Sequence, residues 1–162
     1  SACRSFMQPY RIFLFLLLVV KTFLNADSMQ VCSRDALSQK KCGPCSRTDG
    51  QSLTMETAKA QLAELKEGWY LTNDGQRIRK DWKVRNFKVG MAFLQQVGDI
   101  AEEEGHHPDF HLEGYQYVAI EIWTHSIGGL SENDFILAAK IDEVPVELSK
   151  KQPKRKVEES SS

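Results

Sequence analysis

The fold turns on Phe87–Trp123, which reads FKVGMAFLQQVGDIAEEEGHHPDFHLEGYQYVAIEIW. In its first half, apolar residues recur every three or four positions: Phe87, Met91, Leu94, Val97 and Ala101, with Phe93 and Ile100 flanking the stripe. That spacing predicts an amphipathic helix. Gly90 and Gly98 weaken it but let another element approach closely. Glu102-Glu103-Glu104 and Gly105 end the helix, and acids at that end oppose the helix dipole. Glu103 and Glu104 read as a solvated acidic end. Pro108 bars helix after His107. The period then changes to two. Asp109–Glu113 is a short strand, Gly114 a turn, and Tyr115–Trp123 the strongest strand of the chain. Val118, Ile120 and Ile122 share one face of it; Tyr117, Ala119, Glu121 and Trp123 share the other.

The flanks repeat this pattern. Thr54 reads as an N-cap, followed by Ala58, Leu62 and Leu65 at helical spacing and by Gly68 as a stop, for a helix of about a dozen residues. Trp69-Tyr70-Leu71 reads as a strand and Asn73-Asp74-Gly75 as a turn. Ile78, Trp82 and Val84 then alternate with Arg77, Arg79, Asp81, Lys83 and Arg85, which makes a one-faced strand. Beyond the segment first quoted, Gly128-Gly129 forms a loop. Ser131-Glu132-Asn133-Asp134 fits a capping box with Asp in place of Glu. A last helix carries Phe135, Ala138, Ala139 and Ile141 to about Val144. The order α-β-β-α-β-β-α predicts an α+β domain whose four-stranded sheet is antiparallel or mixed, with helices on one face. The other face and an outer strand edge remain open to an oligomer partner.

The length of 162 residues fits one domain with tails. A net charge of -1 gives no electrostatic case for nucleic acid as a partner. The basic stretch Lys150, Lys151, Lys154, Arg155 and Lys156 reads as part of a solvated, disordered tail over 149–162. At the other end, Arg4 and Arg11 precede an apolar run from Ile12 to Val20, and Leu24-Asn25-Ala26 resembles a cleavage site. Residues 1–28 therefore read as a leader with secretory-like features, an organellar presequence being the other reading. The run is far short of the roughly 20 residues that span a bilayer, so no stable membrane span is expected in the mature protein. Residues 29–52 read as a disordered polar linker. Within it Cys42-Gly43-Pro44-Cys45 is a CxxC, open to a redox or a zinc reading, with Cys3 and Cys32 the other cysteines. The redox reading lacks a preceding strand, and the zinc reading lacks a second CxxC.

All four histidines, His106, His107, His111 and His125, fall within 20 positions of one another. Their spacing matches no common metal site. No Gly-x-Ser-x-Gly, Walker loop or GxGxxG accompanies them. General acid–base chemistry remains, and it needs imidazoles held in place with a carboxylate to orient at least one. His106 and His107 lie on a helix-to-strand turn stiffened by Pro108, and His125 just past the long strand. Asp134 can serve both as capping-box partner of Ser131 and as acceptor for a histidine.

Glu102-x-x-x-His106-His107-Pro108, Tyr115 or Tyr117, Trp123-Thr124-His125 and Gly129-Leu130-Ser131-Glu132-x-Asp134 together resemble the pterin-4a-carbinolamine dehydratase family over roughly residues 53–146. Lys40-Lys41-Cys42-Gly43-Pro44-Cys45, and Ile122–His125 with Gly128-Gly129-Leu130, resemble its plant members. The resemblance implies a domain over 53–148 with an antiparallel four-stranded sheet and three helices on one face, assembling as a homodimer or homotetramer. It implies elimination of water from 4a-hydroxytetrahydrobiopterin to give quinonoid dihydropterin, in tetrahydropterin recycling, with no metal and no cofactor. By position, His106 and His125 would be the acid–base pair and His107 would bind and orient the pterin. Pro108, Thr124 and Ser126 would line its site, and Glu102 and Asp134 would orient the histidines. Phe110 stands where many animal members have Trp, and Ser126 where some have an acid. His111 has no role in the family and reads as surface. The family also contains proteins that act as dimerisation partners of a transcription factor, and plant relatives that act as assembly factors, so a non-enzymatic scaffold is the alternative. Family members suggest a mitochondrial or other organellar location, or a cytoplasmic one.

Overall fold

The computed structural model describes residues 37–43 and 52–150. They lie in one compact unit. Helix α1 spans Met55–Leu62, and the Thr54 hydroxyl caps it by accepting the Thr57 N–H. It ends at Ala63, short of Gly68. The Lys66 N–H donates to the Asp142 carboxylate (3.0 Å) rather than to a helix carbonyl, so the chain leaves the helix in tight turns. Leu65 still reaches the core.

Strand β1 (Tyr70–Thr72) turns through Asn73–Gly75 into β2 (Arg77–Lys83). All three turn residues have positive φ, which Asn, Asp and Gly tolerate best. Helix α2 (Phe87–Glu104) begins at Asn86, whose side chain accepts the Val89 N–H. Strands β3 (Asp109–Glu113) and β4 (Tyr117–Ile122) and helix α3 (Glu132–Ile141) complete the domain. Strand β4 starts at Tyr117 rather than Tyr115, because Gly114 and Tyr115 both have positive φ and form the hairpin turn. The sheet order is β1-β2-β4-β3, antiparallel throughout. Ile78, Trp82, Val118, Ile120 and Ile122 face the helices and form the core with Phe93, Val97, Phe135, Leu137 and Ile141.

The face that α2 buries differs from the stripe read in the sequence. Gly90, Phe93, Val97 and Ala101 are buried, whereas Phe87 and Met91 are exposed. The apolar arc of this helix is wider than one contact face, and the sheet takes only part of it. Gly90 does sit against other elements: a Cβ there would meet Val84 Cγ2 at 3.3 Å and Leu112 Cδ1 at 3.4 Å. Lys80 also departs from the expected pattern. It lies on the helix-facing side of β2, where its amine pairs with Asp142 at 2.7 Å.

The opposite sheet face is polar. Tyr70 donates to Asp81, Thr72 donates to Glu121, and Arg79 pairs with Asp81. Burial, then the hydrogen bond to Asp81, pushes the Tyr70 phenol up to about 12. His111 lies across from Ala119 on β4. It is half-buried rather than a surface residue, and its Nε2 has no hydrogen-bond partner.

Residues 37–43, read in the sequence as polar linker, lie against the domain. Leu37 joins the core, and Cys42 and Gly43 donate their N–H groups to side chains of α2 and α3. One apolar residue and a few backbone bonds leave no periodic signature. Cys45, the leader over 1–28 and the tail beyond Lys150 lie outside the described residues. Among those described, no helix is long and apolar enough to cross a membrane.

Candidate active site

Two chain ends meet to make the site. Gly105 closes α2 in the left-handed region (φ 62°), and the His106 N–H returns to the Ala101 carbonyl. That cap turns His106 inward and leaves His107 in solvent. Opposite, the loop from β4 to α3 is pinned by the Thr124 N–H on the Gly129 carbonyl (2.9 Å). Gly129 has no room for a side chain, because a Cβ would collide with the Ser52 hydroxyl.

Asp134 joins the two ends. It is wholly buried on the first turn of α3. Its Oδ1 lies 2.7 Å from His106 Nε2, and its Oδ2 accepts from the Ser131 N–H (2.6 Å) and the Thr124 hydroxyl (2.9 Å). Capping the helix and holding the imidazole are thus both done by one carboxylate. An ionised carboxylate only accepts, so as a carboxylate Asp134 takes its bond from a proton on His106 Nε2.

His106 and His107 line an open cavity of about 200 Å³ together with Gly105, Trp123, Thr124, His125 and Ser126. His107 Nε2 meets Glu102 at 3.1 Å, and both side chains are solvent-exposed. His125 is exposed and packs edge-on to Trp123, with ring centroids 4.1 Å apart. The Ser126 Oγ is buried at the cavity without a hydrogen-bond partner. Pro108 shapes the turn but does not line the cavity, and His111 is not among the lining residues. Among the described residues, no three His, Cys, Asp or Glu side chains are grouped to hold a metal ion.

The sequence reading gave no role to Trp123. Its indole N–H donates to Asp109 (3.0 Å), and the Arg77 guanidinium stacks over its ring at 4.4 Å. The signal was present, since Trp123 shares strand parity with His125 and Ala119. Glu104 also departs from expectation. Its side chain is only 7% exposed, paired with Lys140 at 2.9 Å and accepting the Cys42 N–H at 2.7 Å.

Fold and site together define an α+β domain with a solvent-open histidine–carboxylate centre. The chain belongs to the family described as Pterin 4 alpha carbinolamine dehydratase, whose model matches residues 51–144. It is 52% identical over 118 residues to the mitochondrial pterin-4-alpha-carbinolamine dehydratase 2 of Arabidopsis thaliana, which covers 72% of this chain and 63% of that protein. The chain thus spans less than two thirds of that relative's length. It is 41% identical to a putative pterin-4-alpha-carbinolamine dehydratase of Alkaliphilus metalliredigens, covering 65% of this chain and 93% of the relative. A crystal structure described as a transcriptional coactivator/pterin dehydratase from Brucella melitensis superposes with a TM-score of 0.52 at 28% identity, over 57% of this chain and 96% of the other.

Proposed function

We propose that this chain eliminates water from 4a-hydroxytetrahydrobiopterin to give quinonoid dihydropterin, by histidine general acid–base catalysis in tetrahydropterin recycling. The reaction needs an acid to protonate the departing C4a hydroxyl and a base to take the N5 proton. Water leaves, and the ring keeps the electrons of the broken N–H bond as a new C=N. His106 and His125 form this pair, and Asp134 keeps His106 oriented. His107, backed by Glu102, binds and orients the pterin. Pro108 holds the turn that places His107, while Thr124 and Ser126 stand at the substrate. The observation that carries the reading is the buried His106–Asp134 pair on the wall of a cavity that two further histidines share. The partnerless Ser126 hydroxyl supports it, because a buried polar atom at a cavity suits a ligand group. No metal or cofactor is invoked.

The test is stopped-flow dehydration of freshly made 4a-hydroxytetrahydropterin by the chain and by His106→Ala. Acceleration by the parent and a loss of roughly 10²–10⁴-fold in the variant are expected. A folded parent that gives no acceleration sinks the proposal.

The exposed Phe87 and Met91 on α2, with Phe110 on edge strand β3, support assembly as a homodimer or homotetramer. The same apolar surface favours the second reading, a non-enzymatic dimerisation or assembly factor. A His106→Ala chain that still binds its partner at full strength would separate the two. An organellar location, mitochondrial in the first instance, is supported by relatives named mitochondrial and chloroplastic.

A further inference from the structure

Residues 37–43 precede the stretch that matches the family, yet they are tied to the two chain ends that make the site. The Cys42 N–H donates to Glu104 Oε2 at 2.7 Å, while Glu104 Oε1 pairs with Lys140 at 2.9 Å. The Gly43 N–H donates to Asn133 Oδ1 at 2.9 Å, and Asn133 Nδ2 returns a bond to the Gly43 carbonyl at 3.0 Å. The Cys42 thiol donates to the Asn133 carbonyl at 3.7 Å. Lys40 adds a pair with Glu132 at 2.6 Å, and Leu37 anchors the segment in the core.

Glu104 precedes His106 by two residues, and Asn133 adjoins Asp134. The segment therefore bridges the same two ends that the His106–Asp134 bond joins. Glu104 sits at the end of α2, where the helix dipole opposes a carboxylate. A buried carboxylate in such a place needs its donors, and the strap supplies one of them.

We propose that Leu37–Gly43 is a strap that positions the His106–Asp134 pair, acting through Glu104 and Asn133. This rests on the dehydratase reading. Neither contact residue lines the cavity, so both are positioning residues. Small displacements suffice for a large effect, since a misplacement of about 1 Å can cost about 10²-fold in rate.

The test uses the full chain with Asn133→Ala, Glu104→Ala and Glu104→Gln. With partial misplacement, a kcat lower by roughly tenfold and a KM within roughly twofold are expected for the two alanine variants. Glu104→Gln keeps an acceptor for the Cys42 N–H and should recover most of that loss. Gly43→Pro removes one strap donor without altering either helix. The proline Cδ takes the place of the amide hydrogen aimed at Asn133 Oδ1, 2.9 Å from the nitrogen, so the ring displaces the segment from Asn133 and should lower kcat in the same way. Ile78→Val, in the sheet core, should lower stability and leave kcat alone. NMR of the His106 Nε2 proton gives a readout that does not depend on activity, and its exchange with solvent should quicken in the alanine variants and in Gly43→Pro. Folded variants with parental kcat and an unchanged His106 proton would overturn the proposal. If the parent itself is inactive, the dehydratase reading falls, and the proton exchange alone decides whether the strap holds the pair. If the alanine variants do not fold, Gly43→Pro decides it.

Discussion

Asp134 and Asp142 lie at opposite ends of helix α3, and both are buried carboxylates with several donors. Asp142 accepts from Lys80 Nζ (2.7 Å), the Trp69 indole N–H (3.1 Å) and the Lys66 N–H (3.0 Å). Asp134 accepts from Thr124 and Ser131 and faces His106. The packing around them is alike; the partner differs. Neither Lys80 nor Asp142 lines the cavity, and their pair joins β2 to the end of α3. His106 carries an imidazole, a side chain suited to acid and base work, and it borders a cavity. On the reading proposed above, the same type of buried carboxylate serves architecture at one end of the helix and proton transfer at the other.

Asp134→Asn should give the largest effect. The amide fits the space and can still accept from the Ser131 N–H, so the fold should survive with a cost of about 1 kcal/mol from the weakened cap. Asn no longer offers His106 a carboxylate, and a neutral amide can select the wrong tautomer. The expected kcat loss is at least roughly 10²-fold, read in the same stopped-flow assay. A variant with parental kcat would remove Asp134 from the chemistry and make both ends of α3 architectural.

Asp142→Ala should do the reverse. It leaves the Lys80 ammonium buried with its partner gone, a situation that typically costs about 3–5 kcal/mol. Thermal or urea unfolding should show this loss while kcat per folded molecule stays near parental. Adding Lys80→Met should return part of the stability, because the stranded charge is gone. The return should be incomplete, since the Trp69 and Lys66 donors still lack their acceptor. A kcat that falls with Asp142 would blur the distinction between the two ends.

The sequence discloses one end of this helix better than the other. Asp134 was legible because Ser131 and Asp134 have capping-box spacing and the histidines cluster within a short stretch. The order of helices and strands was legible for a similar reason: in Phe87–Ile122 the apolar period changes from about 3.6 to 2, and local periodicity is set by burial. The Lys80–Asp142 pair was not legible, because its members are 62 positions apart and Lys80 interrupts an apolar face. The orientation of α2 was misread because Phe87 and Met91 are apolar yet point away from the sheet. Hydrophobicity alone does not say which apolar surface meets the domain's own core. His106, His107 and His125 were placed by the local logic of turn and strand end, whereas the strap across Glu104 and Asn133 depends on backbone donors that no side-chain pattern reveals.

Glu104 gives the smallest effect, and it sharpens the comparison through pH. Burial pushes its carboxyl up, but the Cys42 N–H and the Lys140 amine outweigh this and hold it below its ordinary value of 4.5. A carboxyl lowered on folding contributes stability that is fully present above the unfolded value and is lost as pH falls through the folded one. The contribution of Glu104 is therefore complete near neutrality and fades only in acid, below about 4.5. Glu104→Gln removes the titration. At pH 7 the variant should be less stable than the parent, and the gap should close as the pH is taken down through the carboxylate range. Urea unfolding at a series of pH values measures it. A gap of constant size would mean that the carboxylate charge contributes nothing and that the strap is held by its neutral hydrogen bonds. The strap would then resemble the Asp142 end of the molecule, which holds elements together, rather than the Asp134 end, proposed above to serve proton transfer.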